Sequence, residues 1–250
     1  MKTLRLLLIF TSLIIINKVA AQNIPSKQKL GIVTYTKQSK IIDTATFNKT
    51  SSIFAKNMVD SLKSQMITLK TKLGEDTSGI NAATAPFENL MLEEVFKTET
   101  SEIHIDEFQK DKIVSFVIEN EGNKTEKFYF NYTDNLVYNS YNSEEIEDYF
   151  KGEGIISLTE YRTATKLIKG YNCFKVTYVY REQADNEEFQ VPEMIIEREL
   201  WVTDKIIAPF HSIIRSQQIL SKYYPLEITE KMSKVNGFET KYLVENISLK

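Results

Sequence analysis

Cysteine is nearly absent from this 250-residue chain: Cys173 stands alone, so no disulfide forms within it and a packed core must hold the fold. Histidine is almost as scarce. His104 and His211 are the two, and with one cysteine they cannot assemble a typical structural zinc site. No Gly-x-Ser-x-Gly elbow marks a nucleophile, and Gly152-x-Gly154 lacks the third glycine and the following helix of a dinucleotide site. A thiol dyad of Cys173 and His211 would need the fold to bring two distant segments together. Nothing local supports it, and Cys173, inside a β-branched and aromatic run, reads as a small buried hydrophobe. Carboxylate pairs such as Glu93-Glu94, Glu144-Glu145 and Glu187-Glu188 lack a calcium loop and read as solvated faces. No catalytic residue, metal or cofactor is therefore nominated.

Basic clusters are lacking too. Lysine and arginine total 31 against 34 acidic residues, dispersed along the chain, for a formal charge of −3. Nucleic acid and anionic membrane surfaces are excluded as main partners on that balance. With eight glycines and five prolines against 13 tyrosines and 14 phenylalanines, the composition suits long strands better than loops.

Residues 1–21 are the one long apolar stretch. Lys2 and Arg5 form a basic start, residues 6–16 are apolar except for Thr11 and Ser12, and Val19-Ala20-Ala21 offers compact residues at a cleavage site before Gln22. This is the pattern of a cleavable secretory signal, too short to span a bilayer stably. No cysteine follows it, which removes the acylated-lipoprotein reading. Cleavage takes Lys2, Arg5 and Lys18 away, moving the charge from −3 to −6. The expectation is an exported, periplasmic or secreted protein, with no transmembrane segment after cleavage and with residues 22–250 as a single β-rich domain.

Beyond the leader, residues 30–36 read as a first strand. The period then changes: Phe54, Met58, Leu62, Met66, Leu69 and Leu73 recur every three or four residues, with Lys56, Asn57, Lys63, Ser64 and Lys70 on the other face. That spacing predicts an amphipathic helix over about 51–73, ending near Gly74. Residues 75–85 read as a loop. From residue 103 onward the text is mostly strand: 103–108, 112–119, 125–133, 136–141, 155–161, 168–181, 194–203, 225–232 and 238–249. A short helix is expected after Ser143, residues 184–192 read as an exposed polar loop, and 209–220 is ambiguous between strand and helix. Asn236-Gly237 is a hairpin signal. His104 falls on the expected solvated face of its strand, and His211 at a turn. Asn-x-Ser/Thr triplets occur at Asn48, Asn123, Asn131 and Asn246, and matter only in a host that glycosylates them.

Lys166-Leu167-Ile168-Lys169-Gly170-Tyr171-Asn172-Cys173-Phe174-Lys175-Val176-Thr177 resembles the K-x-I-x-G-Y-x-C-x-K-A-T block of the GLPGLI family of exported proteins. About 25 residues on, Leu200-Trp201-Val202-Thr203-Asp204-Lys205-Ile206 resembles that family's A-W-Y-T-D-x-I block. The name-giving motif is absent; Tyr223-Tyr224-Pro225-Leu226-Glu227-Ile228 keeps only its proline and final isoleucine. The resemblance implies export, a β-rich fold and no established catalytic residue. It also implies a looser similarity to periplasmic lipoprotein carriers, in which an incomplete barrel and a helical lid enclose an apolar cavity.

The expected class is α+β: a curved antiparallel sheet, an incomplete barrel, covered by one long amphipathic helix. The expected function is non-enzymatic binding in the cell envelope, of an apolar ligand or a lipidated partner held between sheet and helix. Phe54, Met58, Leu62, Met66 and Leu69 are the candidate ligand-lining residues. An interaction or scaffold module of the envelope is the alternative, and a hydrolase with a dispersed site stands behind both.

Overall fold

The computed structural model describes residues 29–96, 98, 102–119, 122–151, 153–182 and 194–250. The leader, its cleavage site before Gln22 and the expected loop at 184–192 lie outside the described residues. Strands β1 (Gly31–Ile41), β2 (Glu102–Phe108), β3 (Lys112–Glu119), β4 (Thr125–Asn131) and β5 (Leu136–Asn139) precede a 3-10 turn at Tyr149–Lys151. Strands β6 (Glu153–Ile168), β7 (Tyr171–Glu182), β8 (Met194–Thr203), β9 (Tyr224–Met232) and β10 (Phe238–Leu249) follow. All ten join one antiparallel sheet in the order β5-β4-β3-β2-β1-β10-β9-β8-β7-β6. The first and last strands thus meet in the middle, Gly31 opposite Leu249 and Ile41 opposite Phe238, and each carries its own meander outward. β5 and β6 are the two free edges, so the sheet stays open.

Helix α1 (Thr44–Leu73) begins earlier than the apolar spacing predicts. Asp43, extended at φ −145°, caps it by accepting from the Thr46 N–H at 3.1 Å and the Thr46 hydroxyl at 2.7 Å. Gly74 closes it in the left-handed conformation at φ 71°, which glycine adopts without penalty. Two short helices, α2 (Ile80–Thr84) and α3 (Phe87–Val95), fold back along α1, where the sequence reads as a loop up to residue 85. The start of α1 is seated on the β9–β10 turn. Gly237 there has φ 84°, its carbonyl accepts from the Ile42 N–H at 2.8 Å, and a Cβ would lie 2.4 Å from the Asp43 oxygen.

The expected covering helix is overturned. One helix and a short pair form an arm at the margin of the sheet, with a cluster of their own: Phe47, Phe54, Phe96, Val235 and Phe238, joined by Met58, Leu92, Met194 and Met232. The main core excludes α1 altogether. Residues 204–223, between β8 and β9, cover the sheet instead. Ile206, Phe210, Ile214, Ile219 and Leu220 of this strap are sealed from solvent against Tyr35, Leu200, Leu226 and Ile228 of the strands. The ambiguous stretch at 209–220 is largely irregular, ending in a single helical turn, α4 (Gln217–Leu220). The physical reason is the stripe of α1. Its buried residues end at Val59: the stripe runs on through Leu62, Met66, Leu69 and Leu73, but beyond Val59 the helix extends past the residues it packs against, so it cannot cover the sheet.

A buried irregular segment must satisfy its backbone without a ladder. The strap does so with side chains. The Ser212 N–H donates to Asp106 Oδ2 at 3.3 Å, the Arg215 N–H to Glu153 Oε1 at 3.1 Å, and those of Ile213 and Ile214 to His211 Nδ1 at 3.0 and 3.3 Å.

Candidate functional site

The arm places the five expected lining residues along one side of α1, but in different environments. Phe54 is buried in the arm's own cluster and Met58 packs against it. Leu62 and Met66 are half-buried, and Leu69 is 49 % exposed. Leu73, one turn further on, is 64 % exposed. The apolar stripe therefore leaves the core as the helix extends. Where it does so, a half-open cleft of about 240 Å³ is lined by Ile53, Phe54, Asn57, Met58 and Lys234. Phe54 and Met58 come together there; Leu62, Met66 and Leu69 continue the stripe outside it. Ile53 and Asn57 add apolar and polar walls, and Lys234 comes from the β9–β10 turn. Sequence spacing gives no signal for Lys234, because a contact with α1 about 180 residues away is visible only in three dimensions.

The groups with chemical potential are elsewhere, and each is engaged. His211, expected at a turn, is fully buried under the strap. Its Nδ1 accepts two backbone N–H bonds, which fixes the proton on Nε2, and Nε2 lies 3.1 Å from the Tyr35 hydroxyl. That hydroxyl donates to the Pro225 carbonyl at 2.8 Å. Burial pushes the His211 pKa down to about 3, so the imidazole is neutral. Asp106, also fully buried, accepts from the Tyr224 hydroxyl at 3.0 Å, and burial pushes its carboxyl up to about 6.

His104 is not on the solvated face. It lies on the strap side of the sheet, its Nε2 2.7 Å from Glu102 Oε1, and this contact is the leading cause that holds the Glu102 carboxyl down to about 2. Cys173 is buried on β7, 3.6 Å from the Tyr171 carbonyl, and burial raises its thiol to about 11. A thiol so raised is a poor nucleophile. Arg198 is buried between Glu153 and Glu230, with its Nη1 also 2.8 Å from the Tyr178 hydroxyl. Among the described residues no group of three or more metal-ligating side chains occurs, and no helix is long and apolar enough to cross a membrane.

The two blocks that resemble the GLPGLI family fall on neighbouring strands. The first forms the β6–β7 hairpin, turning at Gly170 with φ 85°, and the second ends β8, so that Lys175 pairs with Trp201. No protein-family model and no curated protein matches the chain, so the resemblance rests on these short blocks. A solved structure, the Mycobacterium tuberculosis lipoprotein LppX, is similar over 88% of this chain and 90% of its own, at 6% identity and a TM-score of 0.28. At that level of likeness, nothing about this chain follows from it.

Proposed function

We propose that the protein is a non-enzymatic binding protein of the cell envelope that takes a single apolar chain on its helical arm. The supporting observation is the cleft at Phe54 and Met58, open at the point where the stripe of α1 leaves the core. Strap and sheet bury their apolar side chains against each other, and the cleft of the arm lies outside that packing. A volume of about 240 Å³ lies below the roughly 300–1,000 Å³ of drug-sized ligand pockets. It suits one acyl chain, or the lipid anchor of a partner, rather than a two-chain lipid. Methionine and phenylalanine walls adapt to a flexible chain. The engaged histidines and the raised thiol support a role without catalysis, and the expected leader supports the envelope location. Binding of a neutral naphthylamine probe and its displacement by palmitate test the reading. Met58→Trp, which fills the cleft, should abolish both. An unchanged signal in that variant, or no binding by the wild type, would sink it.

A second reading has its own observation. Leu69, Leu73, Phe87 and Leu90 of the arm are each at least 40 % exposed. An apolar surface of that kind also fits a protein partner. Leu69→Lys with Leu73→Lys would then abolish capture of that partner while leaving palmitate displacement intact.

A further inference from the structure

The cleft of the arm is not apolar throughout. Beside Ile53, Phe54 and Met58 stand two polar side chains, Asn57 of α1 and Lys234 of the β9–β10 turn, both exposed. The two elements that line the cleft also carry charge of one sign. α1 holds Lys49, Lys56, Lys63, Lys70 and Lys72 against Asp60 alone, and Lys234 is the one charged residue in the turn at 233–237. The whole chain has a formal charge of −3, so this excess of cations is local. Lysines on the outer face of α1 lie about a helix width away, roughly 10 Å, close to the Debye length of about 8 Å at physiological salt. They raise the potential at the cleft without touching what it holds.

These features discriminate among heads on the same chain. A cationic head meets Lys234 and the field of α1, which disfavour it. A neutral head gains no charge pairing. An anionic head meets an ammonium with three donors and an amide with two. Lys234 is engaged within the fold as well, and three donors serve more than one partner. The tail has a path of its own. From Met58 to Leu73 the stripe runs about 22 Å at 1.5 Å per residue, longer than the roughly 15 Å that an acyl chain spans in one bilayer leaflet.

We propose that the head of the bound chain is an oxyanion, so that the cleft takes a free single-chain acid rather than the ester- or amide-linked anchor of a partner. This rests on the reading of the arm as the site of an apolar chain. The Lys234 ammonium pairs with the head and the Asn57 amide donates to it. The tail packs on Phe54 and Met58 and continues along Leu62, Met66 and Leu69. An alcohol of the same length packs the same tail but brings Lys234 no charge. Two heads share this chemistry, a carboxylate and a phosphate monoester.

Displacement of the neutral naphthylamine probe by laurate, dodecyl phosphate, dodecanol and dodecyltrimethylammonium tests the head and separates its two forms. At low salt the better anion should displace the probe about fivefold more tightly than dodecanol, the upper end for an exposed ion pair. The quaternary amine should be the weakest of the four. Whichever anion binds better assigns carboxylate or phosphate. Lys234→Gln should bring the ratio of anion to alcohol close to one, Lys234→Arg should keep it, and added salt should narrow it. The proposal is overturned if dodecanol matches both anions on the wild type, or if Lys234→Gln keeps the full ratio. Displacement by dodecanol would then leave the apolar-chain reading standing. No probe binding by the wild type would remove that reading, and the anionic head with it.

Discussion

Replacing Asp106 with asparagine should change how stability depends on pH, and the sign follows from two buried groups that oppose one another. His211 has its pKa pushed down to about 3 from 6.5. Between those values the unfolded chain holds a proton that the folded chain lacks, so stability is lost as pH falls through this window. From pH 7 to pH 4 that amounts to about 3 kcal/mol. Asp106 has its pKa pushed up to about 6 from 3.8. Between those values the folded chain holds the extra proton, so stability falls as pH rises, by about 3 kcal/mol over the window. In the wild type the two largely cancel between pH 4 and 6. Asparagine keeps the shape of the protonated acid and removes its titration, exposing the histidine's acid loss. The stability difference between Asp106→Asn and wild type should therefore shift by roughly 2.5 kcal/mol between pH 7 and pH 4, the variant gaining relative stability at neutral pH. Every other titrating group is common to both proteins and drops out of the comparison. Urea unfolding at pH 4, 5, 6 and 7 reads it directly. Parallel profiles for the two proteins would refute the assignment of a raised carboxyl at Asp106.

Gly237→Ala should cost at least about 2 kcal/mol in urea unfolding, because φ 84° and the contact with Asp43 forbid a side chain; a loss below about 0.5 kcal/mol would contradict the seating of α1 on that turn. Phe54→Ala should cost about 3–5 kcal/mol and Leu69→Ala less than about 1, since the first is buried in the arm's cluster and the second is 49 % exposed; equal costs by thermal melting would mean that the stripe stays buried to its end. Cys173 should resist thiol reagents at pH 8 until urea unfolds the chain, and Cys173→Ser should cost about 1 kcal/mol because the hydroxyl keeps the Tyr171 carbonyl as acceptor. The exported protein should begin at Gln22, and an intact mass that includes Met1 would overturn the signal reading.

The strands were readable because one face of each is buried. Phe128 and Phe130 alternate with Lys127 and Tyr129 on β4, and Asn236-Gly237 turns β9 into β10. The end of α1 at Gly74 was readable from the glycine. Its start was not: Asp43 caps a Thr-rich turn with no apolar stripe to announce it. The strap was invisible for a different reason. Its backbone is satisfied by Asp106 and Glu153, which lie 106 and 62 residues away along the chain, and no local pattern encodes such bonds. For the same reason the sequence reads His104 on a solvated face and His211 at a turn, while both lie on the buried side under or beside the strap. Of the candidate site, the helix periodicity supplied Phe54 and Met58, while the wall from Lys234 depended on how a distant turn meets α1.

The central seam of the sheet also has a mechanical consequence. Gly31 faces Leu249, and the Leu30 and Lys250 backbones bond each other at 2.8 and 3.2 Å, so the start of β1 and the end of β10 lie side by side. Tension applied through the chain on either side of that pair would act on one hydrogen bond at a time, peeling the seam from this end as a zip. The same bonds loaded along the strands would share the force. A tether entering ahead of Leu30 and a load beyond Lys250 would therefore pull on the weakest direction of the fold, whereas a load through the edge strands would not reach the seam first.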